Sequence, residues 1–143
     1  MKKLMTVACA VVGIGSLFAA TSTQTYRDAQ GRKTGSAMTD PSGRTTTYRD
    51  SLGRKQGSAT VTGNRTTYRD SLGRSQGSAT TDAHGNTTYR DSLGRKTGSA
   101  RVDSSGKVTY RDALGRIQGT ATTDSSGRTT YRDARGRVQG TRK

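Results

Sequence analysis

The chain has 143 residues, of which 27% are hydrophobic and 5% aromatic, with no tryptophan and one phenylalanine. This apolar content is too small for the close-packed core of an ordinary enzyme domain of this length. The formal charge of +15, which falls to +13 without Lys2 and Lys3, favours anionic partners.

Residues 1–22 are predicted to be a secretory signal peptide. Two lysines precede an apolar run at residues 4–20, and small residues follow that run. Cleavage is expected between residues 20 and 22, with export to the periplasm, the cell surface or the medium. The alternative is a retained membrane anchor, although the run is short for a span and is interrupted by Gly13 and Gly15. Cys9, the only cysteine, lies in this segment, so the mature chain has no disulfide or thiol chemistry.

Residues 23–143 repeat one unit of about 21 residues some five and a half times. Each copy carries the string Thr-Tyr-Arg-Asp, followed by two residues and then Gly-Arg. The tyrosines that mark the copies are Tyr26, Tyr48, Tyr68, Tyr89, Tyr110 and Tyr131. The whole body of the protein is therefore predicted to be one repeat domain.

Each copy is predicted to reverse direction twice. Aspartate first and glycine fourth favour a type I turn, because the carboxylate accepts backbone N–H bonds and glycine adopts positive φ. One such turn begins at Asp28, and the residues of the five later turns of this first kind are Asp50, Gly53, Asp70, Gly73, Asp91, Gly94, Asp112, Gly115, Asp133 and Gly136. A second turn, half a period later, is predicted at residues 40–43, 60–63, 82–85, 103–106 and 124–127. The lone proline, Pro41, takes a position that such a turn favours.

The segments between the turns are predicted to be β-strands, because threonine and tyrosine favour extended structure. Alternation places Thr129 and Tyr131 on one face, and Arg128 and Arg132 on the other. The predicted fold is all-β, with tandem hairpins of about 21 residues that form an open meander or a β-solenoid-like sheet after a helical signal peptide. A largely unfolded monomer is the alternative, because low hydropathy and high net charge are typical of disorder.

Two further placements follow from the alternation. Ile117, Gly119, Ala121 and Thr123 are predicted to share one face, which offers a groove of small residues to tyrosine rings of neighbouring strands. Which faces meet depends on the strand register, which the sequence leaves open. The leucines inside the first turns are predicted to be partly exposed, and they are Leu52, Leu72, Leu93 and Leu114.

The strings Tyr-Arg-Asp-Ser-Leu-Gly-Arg at residues 89–95 and Thr-Asp-Ala-His-Gly-Asn-Thr-Thr-Tyr at residues 81–89 resemble the YD repeats of Rhs-type bacterial proteins. Units of that family alternate a Tyr-Asp-x-x-Gly-Arg turn with an Asp-x-x-Gly-Asn turn. The resemblance covers residues 25–143 and implies hairpins coiled into a spiral sheet. It also implies a secreted or surface protein concerned with wall association, adhesion or toxin encapsulation. This chain departs from the family pattern because an arginine separates tyrosine from aspartate in every copy.

No catalytic, cofactor-binding or metal site is predicted, and an enzyme is not expected. His84, the only histidine, stands in a turn position that serine occupies in other copies, so it is interpreted as a turn residue. Calcium binding by the regularly spaced aspartates is disfavoured, because arginine flanks the aspartates of the first turns and a hard cation needs several converging oxygens.

Arginine pairs flank the first turns and form the predicted polyanion-binding site. The pairs are Arg49 with Arg54, Arg69 with Arg74, Arg90 with Arg95, Arg111 with Arg116, and Arg132 with Arg137. Guanidinium groups suit bidentate contacts with phosphate, sulfate or carboxylate. The competing interpretation is that each arginine pairs with its neighbouring aspartate and keeps a weakly apolar sheet in solution.

The expected function is that of an exported, non-catalytic repeat protein with a structural or adhesive role at the bacterial cell surface or in the extracellular matrix. Self-association through sheet edges is the expected mode of assembly. The alternative is a module that binds anionic polymers, such as a glycan, lipopolysaccharide, teichoic acid or extracellular DNA, through the arginine pairs. Sequence-specific nucleic-acid recognition is not expected, and membrane contact is expected only through the signal peptide.

Overall fold

The computed structural model describes residues 22–143, so the predicted signal peptide lies outside the described residues except for Ser22. The described chain forms twelve antiparallel strands in chain order, and the all-β prediction is confirmed. The strands are β1 (Ser22–Asp28), β2 (Lys33–Thr39), β3 (Thr45–Asp50), β4 (Lys55–Thr62), β5 (Arg65–Asp70), β6 (Ser75–Thr81), β7 (Thr87–Asp91), β8 (Lys96–Val102), β9 (Val108–Asp112), β10 (Ile117–Thr123), β11 (Thr129–Asp133) and β12 (Val138–Arg142).

The sheet closes on itself, so the prediction of an open meander or a β-solenoid-like sheet is wrong. Each strand pairs with the next, and β1 also pairs with β12 to complete a twelve-stranded barrel. Tyr26 lies opposite Arg142 at this seam, and the backbone N–H of Thr25 donates to the carbonyl of Lys143 at 2.7 Å. Association through sheet edges stays a prediction, and it would require the seam to open.

Closure has a physical cause in the repeated hairpin. Open sheets of more than about ten strands tend to curl, and six hairpins of this sheet each contain a register shift of one residue. In β5–β6 that shift falls between Tyr68 and Arg69. Bulges of this kind bend the strand and increase its twist. Six hairpins with the same bend bring the two free edges together, where their unpaired backbone groups satisfy each other.

Ten of the eleven connections are the predicted turns between aspartate and glycine. In each, the glycine N–H donates to the aspartate carbonyl at 3.0 to 3.1 Å, and the glycine φ is positive. The prediction of a turn at residues 60–63 is wrong, because β4 continues to Thr62 and the reversal falls at Gly63 and Asn64. Gly63 has a φ of 58° while Asn64 keeps a negative φ, the pattern of a two-residue type II′ hairpin. All six turns of the first kind lie at one end of the barrel, termed the first-turn end; the other five lie at the second-turn end.

Tyrosines and small residues face the barrel interior, as predicted. Tyr68 lies between Ala59 of the preceding strand and Gly77 of the following one. The same register recurs at Tyr48, Tyr89, Tyr110 and Tyr131, so each of these rings has an alanine on one side and a glycine on the other. Tyr26 differs, because Arg142 takes the place of the alanine at the seam. Ile117 does not share the face of Gly119, because the register shift in β9–β10 turns it toward Arg111 on the outer wall.

Glycine is required on the inner wall because strands approach closely there. A Cβ built on Gly98 would lie 2.5 Å from the carbonyl oxygen of Arg111 in the neighbouring strand. Tyr89 is the register partner of Gly98 on the other side. The strand glycines therefore allow both the close strand contact and the bend that closes the barrel.

The core consists of two clusters of tyrosines and small residues. One contains Ala100, Val108, Ala121 and Tyr131, and the other contains Ala59, Tyr68 and Ala79; Tyr89 packs against both. Burial raises the pKa of the Tyr48 and Tyr68 hydroxyls, and the proximity of other tyrosines adds to the effect. The Tyr68 hydroxyl is buried and makes no hydrogen bond within residues 22–143.

Arg142 interrupts the pattern of small residues on the inner wall. It stands two residues after Gly140, where the other copies have alanine, and is 8% exposed. Its guanidinium donates to the Thr129 hydroxyl at 3.3 Å. The replacement of alanine by arginine is visible when the copies are aligned, but Arg142 is not among the predicted site residues.

Candidate polyanion-binding surface

The first turns are held by two arginines and one aspartate each. At the third of them, Asp70 Oδ1 accepts from the backbone N–H groups of Leu72 and Arg74, both at 2.9 Å. Asp70 Oδ2 accepts from Arg74 Nε at 2.8 Å, and Arg69 Nη1 donates to the carbonyl of Gly73 at 2.9 Å. One turn thus fixes two guanidinium groups in defined positions.

The same geometry recurs at all six first turns. The arginines before the turn, termed the wall arginines, donate to the glycine carbonyl, and they are Arg27, Arg49, Arg69, Arg90, Arg111 and Arg132. The arginines after the turn, termed the turn arginines, pair with the aspartate at 2.7 to 2.8 Å, and they are Arg32, Arg54, Arg74, Arg95, Arg116 and Arg137. The structure therefore brings the ten predicted arginines together in one ring.

The predicted pairing between arginine and aspartate is present, but it uses only part of each turn arginine. Arg74 Nε donates a hydrogen bond to Asp70, while the two Nη nitrogens of Arg74 make no hydrogen bond within residues 22–143. The turn-arginine side chains are 69 to 78% exposed. Their outer nitrogens are consequently open to an external anion.

These contacts lower the pKa of the aspartates and so extend the pH range in which the carboxylates are ionised. Hydrogen bonds from the Arg74 guanidinium and from its backbone N–H hold the pKa of Asp70 below its ordinary value. The Arg95 guanidinium has the same effect on the pKa of Asp91. An ionised carboxylate orients Nε of the turn arginine and so directs the Nη nitrogens away from the barrel.

Lysines extend the ring on the outer wall. Lys55 lies directly opposite Arg49, and Lys96 lies directly opposite Arg90. Lys33 is placed in the same way against Arg27. Like charges opposite each other destabilise a sheet, so the fold gains nothing from these three pairs.

The charge of the barrel is concentrated at this end. The first-turn half carries sixteen arginines and lysines against six aspartates, a net charge of +10. The second-turn half carries seven cations against four aspartates, a net charge of +3. We term the wall arginines, the turn arginines, Arg135 and the three lysines of the first-turn half the cation ring.

Sequence analysis missed part of this ring. Arg27 and Arg32 make the same contacts as the later pairs, and they follow the same motif although Gln30 replaces the leucine of that turn. Lys33, Lys55 and Lys96 were missed because a bulge decides which face they occupy.

His84 lies in an exposed second turn, where its backbone N–H donates to Asp82. Among residues 22–143, no three histidine, cysteine or acidic side chains are grouped closely enough to hold a metal ion. Within the same range, no helix has the length and apolar character needed to cross a membrane.

No protein-family model matches the chain, and a search of curated proteins finds no match either. Among solved structures, the chain is similar to BamB from Moraxella catarrhalis, with 13% sequence identity and a TM-score of 0.31. The match covers 82% of this chain and 57% of that one, so the chain spans a little over half the length of that structure. A likeness of this size carries no argument about function.

Proposed function

We propose that the barrel is an exported, non-catalytic module that binds anionic polymers through the cation ring. The observation that carries this proposal is the net charge of +10 at one end, with guanidinium nitrogens left open by the turns. A glycan sulfate, a lipopolysaccharide or teichoic-acid phosphate, or extracellular DNA offers the matching repeated anion. Export follows from the predicted signal peptide, and adhesion to a charged surface is the cellular role that such binding would serve.

The like-charge pairs support the proposal independently. Arg49 and Lys55 face each other across a hairpin. Such a pair costs stability unless an anion lies between the two charges. A bound polyanion would remove that repulsion, so the unfavourable arrangement has an explanation in ligand binding.

The experiment compares two lysines of one repeat in the full chain. Lys96 belongs to the cation ring, while Lys107 lies in a turn at the second-turn end, and neither ammonium group makes a hydrogen bond within residues 22–143. Heparin affinity is measured by calorimetry over a range of salt concentrations. We expect the affinity of the unchanged chain to fall steeply with salt, because binding releases counterions.

Lys96→Gln should weaken heparin binding roughly threefold and reduce the slope of log K against log salt by about one unit. Lys107→Gln should leave both quantities unchanged. Equal effects of the two substitutions would show that the charge acts diffusely and that the ring is not the site. A salt-independent affinity would contradict the proposal and favour a structural role in which charge plays no part.

A further inference from the structure

Four leucines project from the first-turn end of the barrel. Leu52, Leu72 and Leu93 are each 75% exposed, and Leu114 is 78% exposed. They are the most exposed large apolar side chains of residues 22–143, and each stands at the third position of a first turn. We term these four residues the leucine tips.

The leucine tips are held rigidly. The backbone N–H of each leucine donates to the aspartate of its own turn at 2.9 Å. The two arginines of the turn fix the same loop from either side, as at Arg69 and Arg74. Because the tips are already ordered, burying them in a partner costs little conformational entropy.

The tips occupy one arc of the ring. The four leucine-bearing turns are consecutive around the barrel, whereas the two turns beside the β1–β12 seam carry Gln30 and Arg135 in the same position. Adjacent tips are separated by two strands, or about 10 Å of sheet. The apolar surface is therefore a row of separate points with guanidinium groups between them.

We propose that the leucine tips insert into a lipid bilayer whose anionic headgroups bind the turn arginines. This inference rests on the proposed function for its charged part, and it specifies the anion as the headgroup of a lipid surface. A fluid bilayer closes around isolated apolar points, whereas a protein partner would need a rigid pocket for each tip. Peripheral membrane binding combines these two ingredients, shallow apolar insertion and attraction to anionic lipid.

The position of each turn arginine fits this arrangement. Arg74 follows Leu72 by two residues, and its side chain is 73% exposed. Long cationic side chains hold their charge at the headgroup level while nearby apolar groups go deeper. Gln30 and Arg135 stand at the leucine position in the two turns beside the seam. The seam side of the ring therefore has no leucine tip, and the barrel should sit tilted, with the leucine tips toward the lipid surface.

Insertion is tested with a tryptophan probe, because the chain contains no tryptophan of its own. Leu93→Trp reports on a tip, and Met38→Trp is the matched control, since Met38 is an exposed side chain (43%) on the opposite half of the barrel. The full-length variants are mixed with vesicles of phosphatidylcholine and phosphatidylglycerol, and separately with pure phosphatidylcholine. We expect a blue shift of the Leu93→Trp emission with the anionic vesicles only, and no shift for Met38→Trp.

The contribution of the tips is measured with the double variant Leu72→Gln and Leu93→Gln. We expect its affinity for the anionic vesicles to fall about tenfold or more for each leucine replaced, while heparin binding stays unchanged. Met38→Gln should alter neither affinity.

The outcomes separate this inference from the proposed function. Heparin binding together with unshifted Leu93→Trp emission would overturn lipid insertion and leave polyanion binding intact. A roughly ninefold weakening of both heparin and vesicle binding when Lys96 and Lys55 are replaced by Gln, with the blue shift present in Leu93→Trp, supports both proposals. If the leucine substitutions instead abolish a concentration-dependent dimer and spare vesicle binding, the tips join copies of the chain and the inference is wrong.

Discussion

Apart from the turn at Gly63 and Asn64, the two ends of the barrel use turns of the same backbone geometry but hold them with different side chains. At the second-turn end, Asp103 accepts from the Ser105 hydroxyl at 2.6 Å and from the backbone N–H of Lys107. Asp82 accepts from the side-chain amide of Asn86 at 3.0 Å. At the first-turn end, arginine takes this place six times out of six. Neutral partners are thus sufficient for the turn, and the arginines at the other end exceed what folding needs.

Other side-chain contacts of the two ends differ as well. Threonine hydroxyls pair across strands at the second-turn end, as in Thr39 with Thr46 and Thr81 with Thr87, both at 2.9 Å. At the first-turn end, glutamine side chains reach the turn aspartates, as in Gln56 to Asp50 at 3.3 Å. One end is closed by uncharged contacts, and the other presents charge.

Of the changes considered, a low pH should reduce the stability of the barrel most, because it protonates the aspartates at both ends. The pKa of every aspartate in residues 22–143 is lowered in the folded barrel. The stability from these groups is fully present above the unfolded-state pKa of about 3.9 and is lost as the pH falls through the lower folded-state values. Protonation also leaves the first-turn end with sixteen uncompensated cations. Unfolding by guanidinium chloride is followed by circular dichroism at a series of pH values. The denaturant concentration at the unfolding midpoint should fall steadily below about pH 4. A midpoint that stays constant down to about pH 2 would show that the carboxylates contribute nothing to stability.

Tyr68→Ala tests the wall that joins the two ends. The ring is 6% exposed and packs with Ala59 and Ala79, so its removal leaves a cavity in the core. We expect a loss of about 3–5 kcal/mol in the free energy of unfolding. Denaturant titration measures it, and a loss of under about 1 kcal/mol would mean that the interior is not packed around the tyrosines.

Asp70→Asn and Asp103→Asn compare the two kinds of turn directly. Asparagine keeps an acceptor for the backbone N–H groups in both turns but removes the negative charge. Asp70→Asn should lower Tm, because Arg74 loses its partner within a ring of like charges. Asp103→Asn should leave Tm nearly unchanged, because Ser105 provides a neutral contact. The difference should shrink in 1 M salt, where the Debye length is about 3 Å. Equal shifts at low salt would contradict the contrast between the ends.

Tyr68→Phe should have the smallest effect. The hydroxyl is buried without a hydrogen bond in the described chain, so removing it relieves a desolvation cost and keeps the ring. We expect unchanged or slightly greater stability in the same titration used for Tyr68→Ala. A clear loss of stability would reveal a hydrogen bond to this oxygen in solution.

Much of the local structure could be predicted from the sequence because the signals are local. Asp70 and Gly73 suffice to place a turn, and that turn is found where the spacing puts it. Tyr131 and Thr129 are inside, and Arg132 is outside, as alternation predicts. The exposure of the leucines was also predicted correctly.

The wrong predictions concern features that short sequence patterns do not determine. The direction of Ile117 depends on a bulge whose extra residue reverses the alternation. Closure depends on the sum of six small bends, and the edges of β1 and β12 carry no residue type that marks them as partners. The cation ring exists only because the barrel closes. From the sequence alone, the arginines form a linear series, so the ring could not be predicted. The signal peptide, the resemblance to YD repeats and the expected cell-surface role stay predictions.

Because the wall is built from two-stranded units, its perimeter can change only in steps of a whole hairpin. Neighbouring copies share long identical stretches, such as Tyr-Arg-Asp-Ser-Leu-Gly-Arg in three of them. Unequal recombination between such stretches adds or deletes one copy of about 21 residues, which contributes an even number of strands. The first and last strands then remain antiparallel and able to join, and the diameter changes with strand number. Gene-level copy-number change would therefore yield a family of rings of graded width, each with its own number of charged corners.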